Sequence, residues 1–278
     1  MKAGIVYSDY ITTVSSTYAK EISESEEYGC GMEGVLKKRK RFFTGIVNGI
    51  DYSIWNPDID QYIPFKYSVK TLDAKVENKK YFLKRFNMKF DAQVPLIGMV
   101  TRLVEQKGID LVIEAFPEIM KMNVQLILLG TGEKQYHTQL EALAKKYPEK
   151  FALELTYDDE LAHLIEGASD IFLMPSKYEP CGLNQLYSLK YGSVPVVRKT
   201  GGLADTVKEV NAQKGTGTGF FFETYKSGEM LKALSRAVSL FGDQKNWQKV
   251  MRNGMLEDFS WAYSARQYAD LYTKILEK

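Results

Sequence analysis

The sequence predicts a doubly wound α/β domain, a parallel sheet with helices on both faces. From Val94 to Phe222, short β-branched or Leu-rich runs alternate with longer amphipathic stretches, the pattern of repeated strand-helix-strand units. A chain of 278 residues has room for one full core and an appendage.

Taken in order, strands are expected at Leu96–Val100, Gln125–Leu129, Ala152–Leu155, Ile171–Met174, Val194–Val197 and Gly219–Phe222. The helices between them read as Asp110–Met120, Lys134–Lys146, Glu160–Glu166 and Leu183–Tyr191. Further helices follow from Ser227, an acceptable N-cap, and after Ser260-Trp261. In the last helix Tyr268, Leu271, Tyr272 and Ile275 share one face, which reads as core packing. Upstream, Tyr10–Val14 reads as a strand and Thr17–Ile22 as a helix start, and these two elements cannot bury a core alone. Residues 1–48 are therefore expected to be the end of a domain whose larger part lies outside this sequence. Gly45–Asp51 carries the turn signals of a crossing segment, and Asn56-Pro57 with Pro64 continues as irregular chain.

Bulk properties narrow the function. The formal charge is +2 and the one dense cationic cluster, Lys37–Arg41, reads as a solvated helix end before an apolar run, so no basic face is offered to nucleic acid. Two cysteines, Cys30 and Cys181, are too few for a disulfide framework or a metal cage, which suits a reducing compartment. No apolar run approaches the roughly 18 residues of a membrane span, and Met1–Gly4 does not open a signal peptide. The expectation is a soluble, intracellular chain without a membrane partner.

Open α/β sheets bind ligands beyond the carboxyl ends of their strands, so the loops after strands are the place to look. After Val100 comes TRLVEQKG, in which Arg102 and Lys107 stand just ahead of a helix. Fixed cations there can stabilise a leaving diphosphate, or can be plain surface charges. Gly130-Thr131-Gly132 is a Gly-x-Gly turn without the third glycine of a dinucleotide fingerprint. After Met174, Glu179-Pro180-Cys181-Gly182-Leu183 runs into a helix start; Glu179 suits sugar hydroxyls there, or is a carboxylate favoured by the helix dipole. Thr200-Gly201-Gly202 makes a second glycine turn, either a phosphate cradle or a simple reversal. Their common edge of the sheet favours function. Asp58-Ile59-Asp60 reads as solvated loop, Asp158-Asp159-Glu160 as a helix N-terminus, and His137 and His163 as helix residues without partners at ligand spacing. No serine or cysteine stands in a hydrolase-like setting.

In order and spacing, Thr101–Gly108 (TRLVEQKG), Glu179–Tyr187 (EPCGLNQLY) and Lys199–Thr206 (KTGGLADT) resemble bacterial glycogen synthases and plant starch synthases. The resemblance extends to Ile11–Ile22 (ITTVSSTYAKEI), Gly45–Pro57 (GIVNGIDYSIWNP), Gly130–Gly132 and Phe259–Leu276, essentially the whole chain. It implies a GT-B architecture, of which this is the C-terminal Rossmann-like domain, and transfer of glucose from ADP-glucose to the non-reducing end of an α-1,4-glucan with retention. By this resemblance Arg102 and Lys107 contact the diphosphate and Glu179 holds the donor glucose. Cys181, Gly182, Leu183 and Asn184 bind sugar and phosphate, Thr200, Gly201 and Gly202 lie beside them, and Tyr157 sits near the adenine. No metal or cofactor is implied. Eight positions after Glu179, where many retaining GT-B enzymes carry a second glutamate, stands Tyr187.

The same resemblance divides the chain into the end of an N-terminal domain (1–48), the nucleotide-sugar domain (49–258) and a C-terminal helix (259–278) that crosses back to that first domain. The family's N-terminal domain supplies a lysine-glycine loop and part of the acceptor groove. The chain is thus expected to be nearly inert alone, in a bacterial cytoplasm or a plastid. A nucleotide-sugar or glucan binding module without transferase activity, and a UDP-sugar enzyme, are the alternative readings.

Overall fold

A computed structural model describes residues 1–277. Six strands form one parallel sheet: β3 (Leu96–Val100), β4 (Gln125–Leu129), β5 (Phe151–Glu154), β6 (Ile171–Met174), β7 (Val194–Arg198) and β8 (Phe220–Phe222). Their order is β5-β4-β3-β6-β7-β8. Every residue of β4 and of β6 is buried, because helices cover both faces of the sheet. Strand β3 pairs with β4 from Leu96↔Gln125 to Val100↔Leu129 and with β6 at Ile97↔Ile171. Succession turns back between β3 and β6, so the loops leaving these two strands diverge and open a crevice.

The helices match their sequence readings to within one or two residues: Ile109–Lys121, Lys134–Lys146, Asp159–Ala168 and Asn184–Tyr191. Asp158 caps the third of these by accepting from the Leu161 amide at 2.9 Å. One cap differs. Lys226, not Ser227, precedes the helix Ser227–Phe241, because the Glu229 and Met230 amides turn back to the Lys226 carbonyl.

The first 45 residues hold more than the expected strand and helix. Strands β1 (Ile11–Thr13) and β2 (Phe43–Gly45) pair in parallel, with the helices Ser16–Glu24 and Glu33–Lys38 between them. The Lys37–Arg41 cluster ends the second of these helices, as read, and runs on into β2. This unit is joined to the helix Gly201–Thr206 through Asp205, which accepts from the Ser15 hydroxyl at 2.7 Å and from the Thr17 hydroxyl and amide at 2.5 and 3.1 Å.

The last helix, Trp261–Leu276, is fastened at its start. Ile50 donates to the Phe259 carbonyl at 2.8 Å, and the Ser264 hydroxyl donates to the Val47 carbonyl at 2.7 Å. Its expected core face is not a core face: of the four residues assigned to it only Leu271 is buried, while Tyr272 is 61% exposed. Tyr268 and Tyr272 instead lie against each other, ring centroids 6.4 Å apart.

Candidate active site

The loop after β3 enters a short 3-10 turn, Glu105–Lys107, and closes on Gly108. Gly108 has φ +74°, and a Cβ there would come 2.2 Å from the Pro175 carbonyl oxygen, so only glycine lets this loop press against the one leaving β6. Gln106 ties the two loops together: its side-chain amide donates to the Tyr178 carbonyl at 3.2 Å and its own carbonyl accepts from the Lys177 amide at 2.8 Å.

This close approach brings Lys107 and Glu179 together. Lys107 Nζ donates to Glu179 Oε2 at 2.6 Å, and the Ser176 hydroxyl donates to the same oxygen at 3.1 Å. Glu179 is 5% exposed, buried for a carboxylate and therefore dependent on these partners. Arg102 donates to Gln106 Oε1 at 3.3 Å, a weak tether that leaves most of its guanidinium donors free. An open cavity of about 210 Å3 is lined by Arg102, Lys107, Ser176, Glu179, Gly182, Leu183 and Asn184.

A second cavity of about 200 Å3 adjoins it and shares Val100, Thr101, Arg102 and Asn184 in its walls. Leu129, Gly130, Thr131, Ala162 and Tyr157 complete this slot, with Tyr157 84% exposed at its rim. The Asn184 amide, donating to the Val100 carbonyl at 2.5 Å, forms the partition between the two. His137 accepts from the Gly132 amide at 3.1 Å and holds the Gly-x-Gly turn in place, a partner that sequence reasoning missed.

The remaining predicted positions lie behind the first cavity. Cys181 is buried, and burial pushes its thiol above the usual range against the pull of the Asn48 backbone amide. Gly201 and Gly202 pack on the back of the Glu179 loop: a Cβ on either would sit 1.9 Å from the carbonyl oxygen of Glu179 or of Cys181 respectively. The Gly202 amide donates to the Glu179 carbonyl at 3.0 Å. The Thr200 hydroxyl and the Gly201 amide both donate to Glu21 Oε1, at 2.9 and 3.1 Å. A carboxylate of the first segment thus occupies the turn that reads as a phosphate cradle.

Two dismissed features are more than they looked. Asp58 and Ile59 are exposed, but Asp60 is 2% exposed and accepts from Tyr191 Oη at 2.5 Å and His163 Nδ1 at 2.8 Å. Burial pushes the Asp60 carboxyl up, but its hydrogen bonds with His163, Tyr191 and the Tyr62 amide outweigh that and hold it below its usual range. Trp55 is stacked between His163 and Tyr187, with centroids 3.7 and 3.8 Å away. The ring at Tyr187 therefore packs against a wall of aromatic rings. Among the described residues no group of three or more His, Cys, Asp or Glu gathers as metal ligands do, and no helix is long and apolar enough to cross a membrane.

The domain, with its charged cavity and adjoining slot at the switch point of the sheet, belongs among the glycosyltransferases of GT-B architecture. The family described as "Glycosyl transferases group 1" matches residues 82–253, more than half of the chain, and the chain belongs to that family. A second family, "Starch synthase catalytic domain", matches residues 1–38. Within this class the chain is similar over its whole length to glycogen synthases, with 48% identity to that of Thermosipho africanus (strain TCF52B). Identity to the glycogen synthase of Koribacter versatilis (strain Ellin345) is 46% over 99% of the chain. The chain spans 57% and 56% of those two relatives. Among solved structures, the catalytic domain of starch synthase IV from Arabidopsis thaliana bound to ADP and acarbose superposes with a TM-score of 0.93. It is 36% identical, and the match covers 100% of this chain and 58% of that one. Sucrose-phosphate synthase from Thermosynechococcus elongatus, at 19% identity and TM-score 0.67, shares the fold.

Proposed function

We propose that the chain is the donor-binding part of a retaining glucan synthase, taking ADP-glucose and passing glucose to the end of an α-1,4-glucan. The observation that carries this reading is the pair of adjoining cavities. A charged one holds Lys107, Arg102 and Glu179, and a slot under Tyr157 opens from it across Arg102. A diphosphate at Arg102 and Lys107 puts a base in the slot and a sugar at Glu179, in the order of a nucleotide-sugar. The ADP bound to the Arabidopsis starch synthase IV domain supports adenine as that base.

The chemistry follows from the charges. As the bond between sugar and diphosphate breaks, negative charge grows on the leaving phosphate, and two fixed cations stabilise it more in the transition state than in the substrate. Glu179 accepts hydrogen bonds from sugar hydroxyls and fixes the ring. This assigns Glu179, Arg102 and Lys107 to the reacting centre, and Tyr157, Cys181, Gly182, Leu183, Asn184, Thr200, Gly201 and Gly202 to the donor pocket and its support. No metal or cofactor enters the reading.

Because the first cavity is open on one side, we further propose that efficient transfer requires a facing domain, one that brings its own cations and the glucan groove. The test is titration of the protein with ADP, ADP-glucose and UDP-glucose, followed by maltooligosaccharide elongation. ADP and ADP-glucose are expected to bind, UDP-glucose more weakly, and elongation to be negligible. Absence of ADP binding, or tight glucan binding without any nucleotide binding, refutes the reading in favour of a carbohydrate-binding module.

A further inference from the structure

Glu21 stands in the first segment, 180 residues before the turn it touches. One carboxylate oxygen, Oε1, receives both the Thr200 hydroxyl and the Gly201 amide, and the other, Oε2, is buried without a partner. A half-buried carboxylate is not held this way by accident of a flexible side chain. The backbone of its helix is fixed from the other side by Asp205, which accepts from Ser15 and Thr17. Each of the two helices so joined, Ser16–Glu24 and Gly201–Thr206, thus lends a carboxylate to the starting turn of the other.

From that observation we infer that Glu21 is a positioning residue for Glu179. The chain of contacts is short and directional. Glu21 fixes the Thr200–Gly201 turn, the next amide, Gly202, donates to the Glu179 carbonyl at 3.0 Å, and the glycines meet Glu179 and Cys181 with no room for a Cβ. The Glu179 loop therefore has a rigid back wall whose placement depends on a carboxylate from outside the sheet. Displacement of that wall by a fraction of an ångström moves the Glu179 side chain relative to Lys107, while the slot under Tyr157, whose far wall is β4 and the helix Asp159–Ala168 and whose shared wall Asn184 is tied to the Val100 carbonyl, stays where it is. The effect on ligands is thus selective: sugar recognition depends on Glu21 and base recognition does not. That last step rests on the reading of Glu179 as the donor-sugar residue.

The experiment compares the wild-type chain with Glu21→Ala and Glu21→Gln, the glutamine keeping an acceptor oxygen. Amide hydrogen exchange is followed at Gly202, and ADP and ADP-glucose are titrated separately. In Glu21→Ala, Gly202 exchange is expected to rise about tenfold or more, from loss of a charge-assisted contact that braces its bond. ADP affinity is expected to hold within about twofold, while the advantage of ADP-glucose over ADP falls about tenfold. Glu21→Gln is expected to recover most of both effects, which a merely unfolded alanine variant cannot mimic. Unchanged Gly202 exchange in Glu21→Ala overturns the inference, as does an equal loss of affinity for both ligands. A wild-type protein that binds neither ligand overturns the donor-site reading and with it the step to sugar recognition, while the exchange result still judges the contact itself.

Discussion

The Lys107 ammonium is held by Glu179 at 2.6 Å, so a diphosphate bound at Lys107, as proposed above, shares its cation with a carboxylate. Replacing Glu179 by glutamine removes one negative charge from the cavity wall and frees Lys107. The pair is only partly dry, with side-chain exposures of 18% and 7%, and the cavity is open, so an effective dielectric of about 40 is the fair choice. A unit charge removed about 6 Å from a phosphate under that screening is worth about 1.4 kcal/mol, roughly a factor of ten in affinity. Glu179→Gln is therefore expected to bind ADP more tightly, by up to about tenfold, while any gain from the attached glucose shrinks. Isothermal titration at low and moderate salt reads both numbers, and the ADP gain should diminish as salt rises. An ADP affinity that falls in Glu179→Gln refutes the argument, because it means the carboxylate assists the diphosphate rather than competing for its cation.

Three further outcomes follow from other parts of the structure. Tyr157→Ala removes the exposed rim of the slot and is expected to weaken ADP by roughly 1 kcal/mol, about fivefold, with melting temperature unchanged; equal affinity in the same titration removes Tyr157 from the site. Asp205→Ala strips the Ser15 and Thr17 contacts and is expected to cost about 1–3 kcal/mol of stability, read by urea denaturation, with amide exchange rising first in residues 15–24; uniform exchange across the chain contradicts it. The third concerns pH. Burial pushes the Glu166 carboxyl up from 4.5 to about 8, against the pull of the Ser188 hydroxyl and of Lys75, so the folded state binds the extra proton between those values. Wild-type stability therefore loses a contribution as pH rises from about 4.5 to about 8. Glu166→Gln, which keeps an acceptor for Ser188 and never ionises, is expected to gain on the wild type steadily through that window and no further above it. Lys75, driven down to about 7 by its own burial, acts the other way above neutrality and feels the Glu166 charge, so the two proteins are compared below pH 7. A stability difference independent of pH sinks the assignment.

The central sheet was legible because its strands are apolar runs separated by helices of ordinary length, and burial of both faces enforces that pattern locally. The boundaries that slipped, at Phe151 and Glu154 of β5, Arg198 of β7 and Phe220 of β8, each differ by a single residue at a strand end, where the ladder rather than the side chain decides membership. What was not legible was pairing across long sequence distance. Strand β2 is three residues long and has no periodicity to read; it exists because β1 lies beside it. Asp60 looked like loop and His163 like an ordinary helix residue, and only the fold brings them together across 103 positions. The same holds for Glu21 and the Thr200 turn. In the last helix the apolar stripe is present but largely uncovered, Leu271 alone of its four residues being buried, since periodicity reports a face and not what covers it.

The glycine pair shows why the candidate site was only half legible. In sequence, Thr200-Gly201-Gly202 has one signature for two causes, backbone approach to an anion and backbone approach to backbone. The structure separates them: the would-be Cβ atoms of Gly201 and Gly202 meet the carbonyl oxygens of Glu179 and Cys181, and the one amide of the turn that faces an anion faces Glu21. Those glycines are explained by packing before any ligand is considered. The KTGGLADT and ITTVSSTYAKEI segments then cease to be independent clues, because Asp205 of the first caps the second and Glu21 of the second caps the first. What supports the proposed nucleotide-sugar site is narrower and better placed: Lys107, Arg102 and Glu179 around one cavity, at the point where the strand order turns back between β3 and β6.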